Sequence, residues 1–234
     1  MGNQFKRSKI LFKNSGMEAL QKARVIVFGV GGVGGYVVEA LTRSGLSHLT
    51  LVDNDVISET NINRQIIATY DTIGQSKVEV MKKRILSINK NAVVDAKQIF
   101  ITKDNLGDLK FQVFDYIVDA IDIVKSKIAL IKMATELDIP IISSMGTGNK
   151  INPMGFVVSD INKTEVDPLA KVIRTELRKL GIKKLKVVYS KEIPIKTTID
   201  LEENGRHIPG SNAFVPAAAG LLIASEVVND LIKK

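Results

Sequence analysis

The chain has 234 residues, 45% of them hydrophobic, enough for the full core of one ordinary α/β domain. Lys and Arg outnumber Asp and Glu by 33 to 25, a formal charge of +8 that suits an anionic partner. There is no cysteine, which excludes an enzyme thioester and a thiolate zinc site, and two histidines are too few for a histidine metal site or triad.

Residues 1–22 read as an amphipathic N-terminal helix with Ile10, Leu11, Phe12, Met17 and Leu20 apolar. Residues 23–150 alternate strand and helix, with strands expected near 24–28, 48–52, 93–99, 115–120 and 139–144. Arg24–Phe28 is β-branched and apolar, as a buried parallel strand should be. It runs into Gly29-Val30-Gly31-Gly32-Val33-Gly34, and Val33–Ser44 follows at helical spacing. Strand, glycine turn and helix N-terminus form an anion cradle, with backbone N–H groups facing a phosphate and no side chains in the way.

His48–Val52 ends at Asp53, 19 residues beyond Gly34, where a carboxylate would accept from ribose hydroxyls. An NAD-dependent oxidoreductase predicts the glycines and Asp53 equally well. The residues beyond Asp53 favour another nucleotide. Asn61-Ile62-Asn63-Arg64-Gln65 is succeeded by Lys77, opening a helix over Gly74–Asn89, and by Asp122 beyond the strand Tyr116–Ala120. An Arg, a Lys and an Asp beyond three parallel strands converge at one carboxyl edge of a sheet. Two cations and a Mg²⁺-holding carboxylate there suit ATP under attack at phosphorus. Asp55 is either a phosphate or Mg²⁺ ligand or a plain loop residue, and Asp119 ends its strand three residues before Asp122.

Residues 151–234 change character. Gly155–Val158 and Leu185–Tyr189 suggest antiparallel strands, and Val215–Ile232 a closing core helix rather than a membrane span, since Pro216, Glu226, Asn229 and Asp230 interrupt it. The resulting expectation is a single α/β domain in three stretches (1–22 arm, 23–150 Rossmann-like ATP-binding core, 151–234 extension). Its sheet is doubly wound and mainly parallel, with a C-terminal antiparallel extension. Between Lys163 and Lys196, ten basic residues face four acidic ones. Leu169–Leu180 reads as a helix with Leu169, Val172, Ile173, Leu177 and Leu180 on one stripe and Lys171, Arg174 and Arg178 on another. That basic stripe is either a solvated face or a track for nucleic-acid phosphates. No targeting signal opens the chain, and a cytoplasmic setting is expected.

The glycine string, Asp53-x-Asp55, Asn61-x-x-Arg64-Gln65, Lys77 and Asp122 resemble the ThiF/HesA/MoeB superfamily, adenylating relatives of ubiquitin-activating enzymes. The spacings agree: 11 residues from Asp53 to Arg64 and 13 from Arg64 to Lys77. The resemblance implies that Asp53 holds the ribose, that Asn61, Arg64 and Lys77 hold phosphates, and that Asp122 binds Mg²⁺ and positions the attacking carboxylate. It implies a homodimer too, in which Arg7 of the Gln4–Arg7 arm reaches the partner's ATP site, although Gln4 departs from the family's Arg. Asp167–Lys171, Leu185–Glu192, Gly210–Pro216 and the Ile141–Pro153 stretch resemble one branch, the tRNA threonylcarbamoyladenosine dehydratases. That branch implies ATP-dependent ring closure of threonylcarbamoyladenosine in tRNA through a carboxyl-adenylate, with no zinc. The alternative is another carboxylate-adenylating enzyme acting on a small protein or small molecule. Whether a monovalent cation is bound stays open.

Overall fold

The computed structural model describes residues 2–197, 202–203 and 206–233. Its centre is a seven-stranded sheet: β1 (Arg24–Phe28), β2 (His48–Val52), β3 (Val93–Lys97), β4 (Tyr116–Asp119), β5 (Ile141–Ser144), β6 (Phe156–Asp160) and β7 (Lys186–Ser190). The order is β3-β2-β1-β4-β5-β7-β6, parallel throughout except for the antiparallel β6–β7 pair. Glu202–Glu203 (β8) and Arg206–His207 (β9) form a separate two-stranded pair. The chain builds outward from β1 to β3, then returns to place β4 on the other side of β1. That reversal opens a crevice at the carboxyl ends of β1 and β4.

Four helices cover one face: α1 (Lys6–Lys22), α2 (Gly34–Ser44), α3 (Lys77–Ile88) and α6 (Val215–Ile232). Alternate residues of the strands, Val25, Val27, Leu49 and Leu51, pack there against Val37, Leu41, Met81 and Ile223. The opposite residues, Ile26, Phe28 and Ile117, face α4 (Val124–Glu136) and the turns of 98–115; α5 (Pro168–Lys179) packs beyond α4 against β7. Burial on both faces explains the unbroken apolar runs, each such side chain contributing about 1.5–3 kcal/mol. Gly220 of α6 meets α2 so closely that a Cβ there would overlap the Val33 carbonyl. The apolar α6 is thus a core helix, burying Val215, Ala219, Ile223, Val227 and Leu231 along one side.

The N-terminal segment departs from the expected single helix. A 3₁₀ turn at Asn3–Phe5 leads into α1, which is broken at Lys13 (φ 60°, ψ −177°), a conformation costly for any side-chain-bearing residue. The break shifts the phase of the apolar stripe. Met17 and Leu20 are fully buried, whereas Ile10 and Leu11 are 79% and 77% exposed.

At the amino edge of the sheet, opposite the crevice, Asp230 Oδ2 accepts from Tyr116 Oη at 2.7 Å and from Lys186 Nζ at 2.6 Å. Burial pushes the Asp230 carboxyl up, yet the Lys186 and Tyr116 bonds hold it below its usual value. Burial likewise pulls Lys186 down, and Asp230 and Glu226 more than offset it, leaving its pKa raised. A depressed carboxylate stabilises above its unfolded pKa and loses that contribution as pH falls through the folded value. Asp230→Asn is therefore expected to cost about 1 kcal/mol at neutral pH. Thermal melts of the two proteins should begin to converge as the pH falls past the ordinary aspartate value of about 3.9 and meet only below the depressed folded value; a gap independent of pH would contradict the assignment.

Candidate active site

A cleft of about 590 Å³ opens at the crevice between β1 and β4. Its floor is the glycine loop. Gly29 sits at φ 84°, donates its N–H to the Val52 carbonyl at 2.8 Å, and has room for no Cβ, which would lie 2.6 Å from the Ala120 carbonyl. Gly34, first residue of α2, is pressed against Gly29, and a Cβ on it would overlap the Gly29 carbonyl oxygen. Gly31 and Gly32 line the cleft itself, where the backbone can approach a phosphate. Asp53 Oδ2 accepts the Val30 N–H at 2.6 Å and Oδ1 the Asp55 N–H at 2.9 Å. This carboxylate ties the glycine loop to the loop after β2. Burial raises its pKa, opposed by the charge of Lys77 and by the two N–H bonds.

The loop after β2 supplies the cations. Asn61 Oδ1 accepts the Ser58 N–H, closing a capping box around the turn Glu59–Asn61. Arg64 follows, its Nη1 donating to Thr60 O at 2.8 Å and Asn63 Oδ1 at 2.9 Å. Lys77 opens α3 and is only 5% exposed; its Nζ lies 2.7 Å from Asp55 Oδ2. Asp55 thus pairs with Lys77 at the cleft wall. Across the cleft, Asp122 is exposed, with no hydrogen-bond or ion-pair partner among the described residues. Asp119, three residues earlier, is fully buried against Lys127 at 2.7 Å. Asp122 alone of the two faces the cleft, which separates the two carboxylates of this motif.

The pattern of the ThiF family matches residues 5–234. The chain belongs to the ThiF family. The tRNA threonylcarbamoyladenosine dehydratase of Bacillus subtilis (strain 168) is 43% identical over 244 residues, spanning 100% of this chain and 96% of the relative. The chain is also similar to the E. coli tRNA N6-threonylcarbamoyladenosine dehydratase, solved in complex with AMP (TM-score 0.91) and with ATP (TM-score 0.90). Each is 32% identical and covers 98% of this chain and 94% of that one. E. coli MccB with ATP, at 22% identity and TM-score 0.70 over 100% of this chain and 64% of its own, shares the fold.

Among the residues expected from the ThiF pattern, Gly29, Gly31, Gly32, Asp53, Asp55, Asn61, Arg64, Lys77 and Asp122 all line this one cleft, and Gly34 supports its loop. Arg7 does not line it. It is exposed on α1, two residues from the buried anchor Phe5. The basic stripe of α5 is also divided. Lys171 and Arg178 are exposed, but Arg174 Nη1 donates to Thr164 Oγ1 at 2.6 Å and to Thr164 O at 3.1 Å. Arg174 therefore braces the turn before α5 instead of standing open for phosphates.

Sequence reading missed one wall and undervalued one residue. Ile99, Phe100 and Ile101 form an apolar side of the cleft beside Phe28 and Val52, suited to a nucleoside base. They sit in an irregular loop with no periodicity to mark them. Gln65, named from sequence only as the end of the Asn61–Gln65 run, also lines the cleft, and its Oε1 is buried with no partner among the described residues. The C-terminal half adds Thr147, Ser211 and Pro216. Asn149 (φ 56°) accepts the Gly210 N–H on Oδ1 at 2.6 Å, Asn212 Nδ2 donates to Lys150 O at 2.9 Å, and Asn63 Nδ2 donates to Ser211 O at 3.1 Å. Two of the stretches carrying the dehydratase resemblance, Ile141–Pro153 and Gly210–Pro216, are thus joined at the rim of the cleft.

Proposed function

We propose that this chain is an ATP-dependent dehydratase that closes the threonylcarbamoyl side chain of a modified adenosine in tRNA through a carboxyl-adenylate. The observation that carries the reading is the chain-long match to the Bacillus subtilis dehydratase, 43% identical over 100% of this chain. The cleft geometry supports it. The triphosphate lies over Gly31 and Gly32 against Arg64 and Lys77, the ribose meets Asp53, and the base rests on Phe100. The threonyl carboxylate enters beside Asp122 and attacks the α-phosphorus; pyrophosphate leaves with its bonding electrons. A nitrogen of the same modification then attacks the acyl carbon and AMP departs, a net loss of water with one proton released. The chain has no cysteine, so the second nucleophile belongs to the substrate.

Arg64 and Lys77 act by stabilising charge that grows on the phosphate oxygens. Asp122 also suits Mg²⁺. It is an open carboxylate facing the phosphate loop, and no cluster of three or more His, Asp or Glu ligands occurs among the described residues. One carboxylate with phosphate oxygens and water is the usual magnesium environment, and bound there the ion neutralises triphosphate charge. Lys171 and Arg178, exposed on α5, meet the tRNA phosphates. The test is AMP release from purified tRNA with and without the threonylcarbamoyl group. Release should require the modified tRNA, and equal release from both would remove the dehydratase reading.

The active assembly is a two-fold dimer in which each Arg7 reaches the neighbour's cleft. The exposed arm, with Ile10 and Leu11 uncovered on its own subunit, supports this. Mixing Arg7→Ala subunits with Lys77→Ala subunits should then recover about one working site per heterodimer, because both lesions fall in the other. Monomers at micromolar concentration, or no recovery on mixing, would refute it.

A further inference from the structure

Beneath the cleft lies a polar group that touches no ligand-facing surface. Lys127 of α4 and Asp119 at the end of β4 are both 0% exposed and paired at 2.7 Å. Lys127 Nζ also donates to Ser143 Oγ and to Ser144 O, each at 3.0 Å, on β5. Ser143 Oγ in turn donates to Asp119 Oδ2 at 2.6 Å. The other carboxylate oxygen, Oδ1, accepts the Ile121 N–H at 3.2 Å. That last bond is the link to function, because Ile121 immediately precedes Asp122.

We infer that Lys127, Asp119 and Ser143 are positioning residues that aim the Asp122 carboxylate into the phosphate end of the cleft. The inference rests on the role proposed for Asp122. Three elements, β4, β5 and α4, meet at the Lys127 ammonium, and the four-residue loop 120–123 is held between two of them. Asp119 fixes its start through Ile121, and the first turn of α4 fixes its end. The same turn is tied to the base-side wall by Ser126 Oγ donating to Ile101 O at 2.6 Å. Stability alone is a poor reason for such a group. Burying two charges can cost as much as their attraction returns, and apolar side chains of similar volume often serve the fold as well. What a fully bonded buried network supplies is a single loop geometry, and the loop here carries one exposed carboxylate with no bonded partner among the described residues.

The apolar replacement Asp119→Val, Lys127→Met, Ser143→Ala separates fold from aim. We expect it to melt close to wild type and to keep its thermal protection by ATP, but to lose about 10–100-fold in kcat and need more Mg²⁺ for half-maximal rate. Wild-type kcat at wild-type Mg²⁺ in the folded triple variant would overturn the inference. Should the triple variant not fold, Ser143→Ala decides: several-fold lower kcat with unchanged KM for ATP supports it, and wild-type kcat overturns it. Asp122→Ala runs alongside. If that variant is inactive while the network variants are fully active, only this inference fails; if Asp122→Ala itself is fully active, the reading of Asp122 falls and takes the inference with it.

Discussion

Replacing Asp122 with alanine is expected to lower ATP-dependent product formation by a factor on the order of 10²–10³ while leaving the melting temperature unchanged. The two halves of that expectation have separate physical grounds. Asp122 is exposed and bonded to nothing among the described residues, so its removal creates no cavity and orphans no buried partner. The activity loss comes from the carboxylate's surroundings: the glycine loop and the Arg64–Lys77 pair across one cleft. Asp122→Asn is informative beside it, because it keeps shape and loses charge. An effect through charge makes Asn as damaging as Ala, whereas an effect through shape spares it. Pyrophosphate release under single-turnover conditions, with modified tRNA, reads both variants. A wild-type rate in Asp122→Ala would move the centre of the chemistry away from this residue.

Gly34→Ala should be nearly as damaging, and for a steric reason. A methyl group at this position would occupy the space of the Gly29 carbonyl oxygen, and the neighbour is backbone, which has no rotamer to escape into. The first turn of α2 must then move away from the end of β1. Forced overpacking of this kind costs about 1–3 kcal/mol, and the displaced N–H groups no longer surround a phosphate. A lowered melting temperature together with loss of protection by ATP is the expected pair of results. Gly74→Ala provides the contrast. No atom lies within 4 Å of a Cβ there, and the strain comes only from its φ of 81°, so ATP protection should persist. Thermal denaturation with and without ATP measures both, and an unaffected Gly34→Ala protein would contradict the packing of this loop.

How far the sequence could be read depended on whether the signal was local. The run Arg24–Phe28 into Gly29–Gly34 announces strand, turn and helix within one window. β1 and α2 accordingly lie where composition and spacing put them. Arg64, Lys77 and Asp122 are far apart in the chain, yet each follows a parallel strand or opens the next helix. The topology alone then delivers them to one edge. Asp119 against Asp122 was not decidable locally, because both are carboxylates near a strand end; only the buried Lys127 separates them. Arg174 misled for a related reason, since helical spacing gives the face of a side chain but not whether a neighbouring turn has captured it. The break at Lys13 falls on a lysine, and the turn-prone run Asn14-Ser15-Gly16 just after it is its one local mark. Phe100 lies in a loop whose place depends on the whole β3–β4 crossing, so no pattern within it could show that it walls a cleft.

The bond from Asn63 to Ser211 joins residues 148 positions apart, and Pro216 packs over Gly32 from still further along. Such separations set the order in which the molecule is finished during synthesis. The glycine loop, Arg64, Lys77 and Asp122 leave the ribosome early, but the rim that encloses them waits for the last stretch of polypeptide, several seconds later at about 5–20 residues per second. A nascent chain halted near residue 200 would have its phosphate cradle translated but lack the part of the rim that Ser211 and Pro216 supply. Closing such a distant contact is a late and slow event in folding. Competence for the complete reaction therefore arrives with the C-terminal helix, and a truncated chain is left without the wall that would admit a substrate.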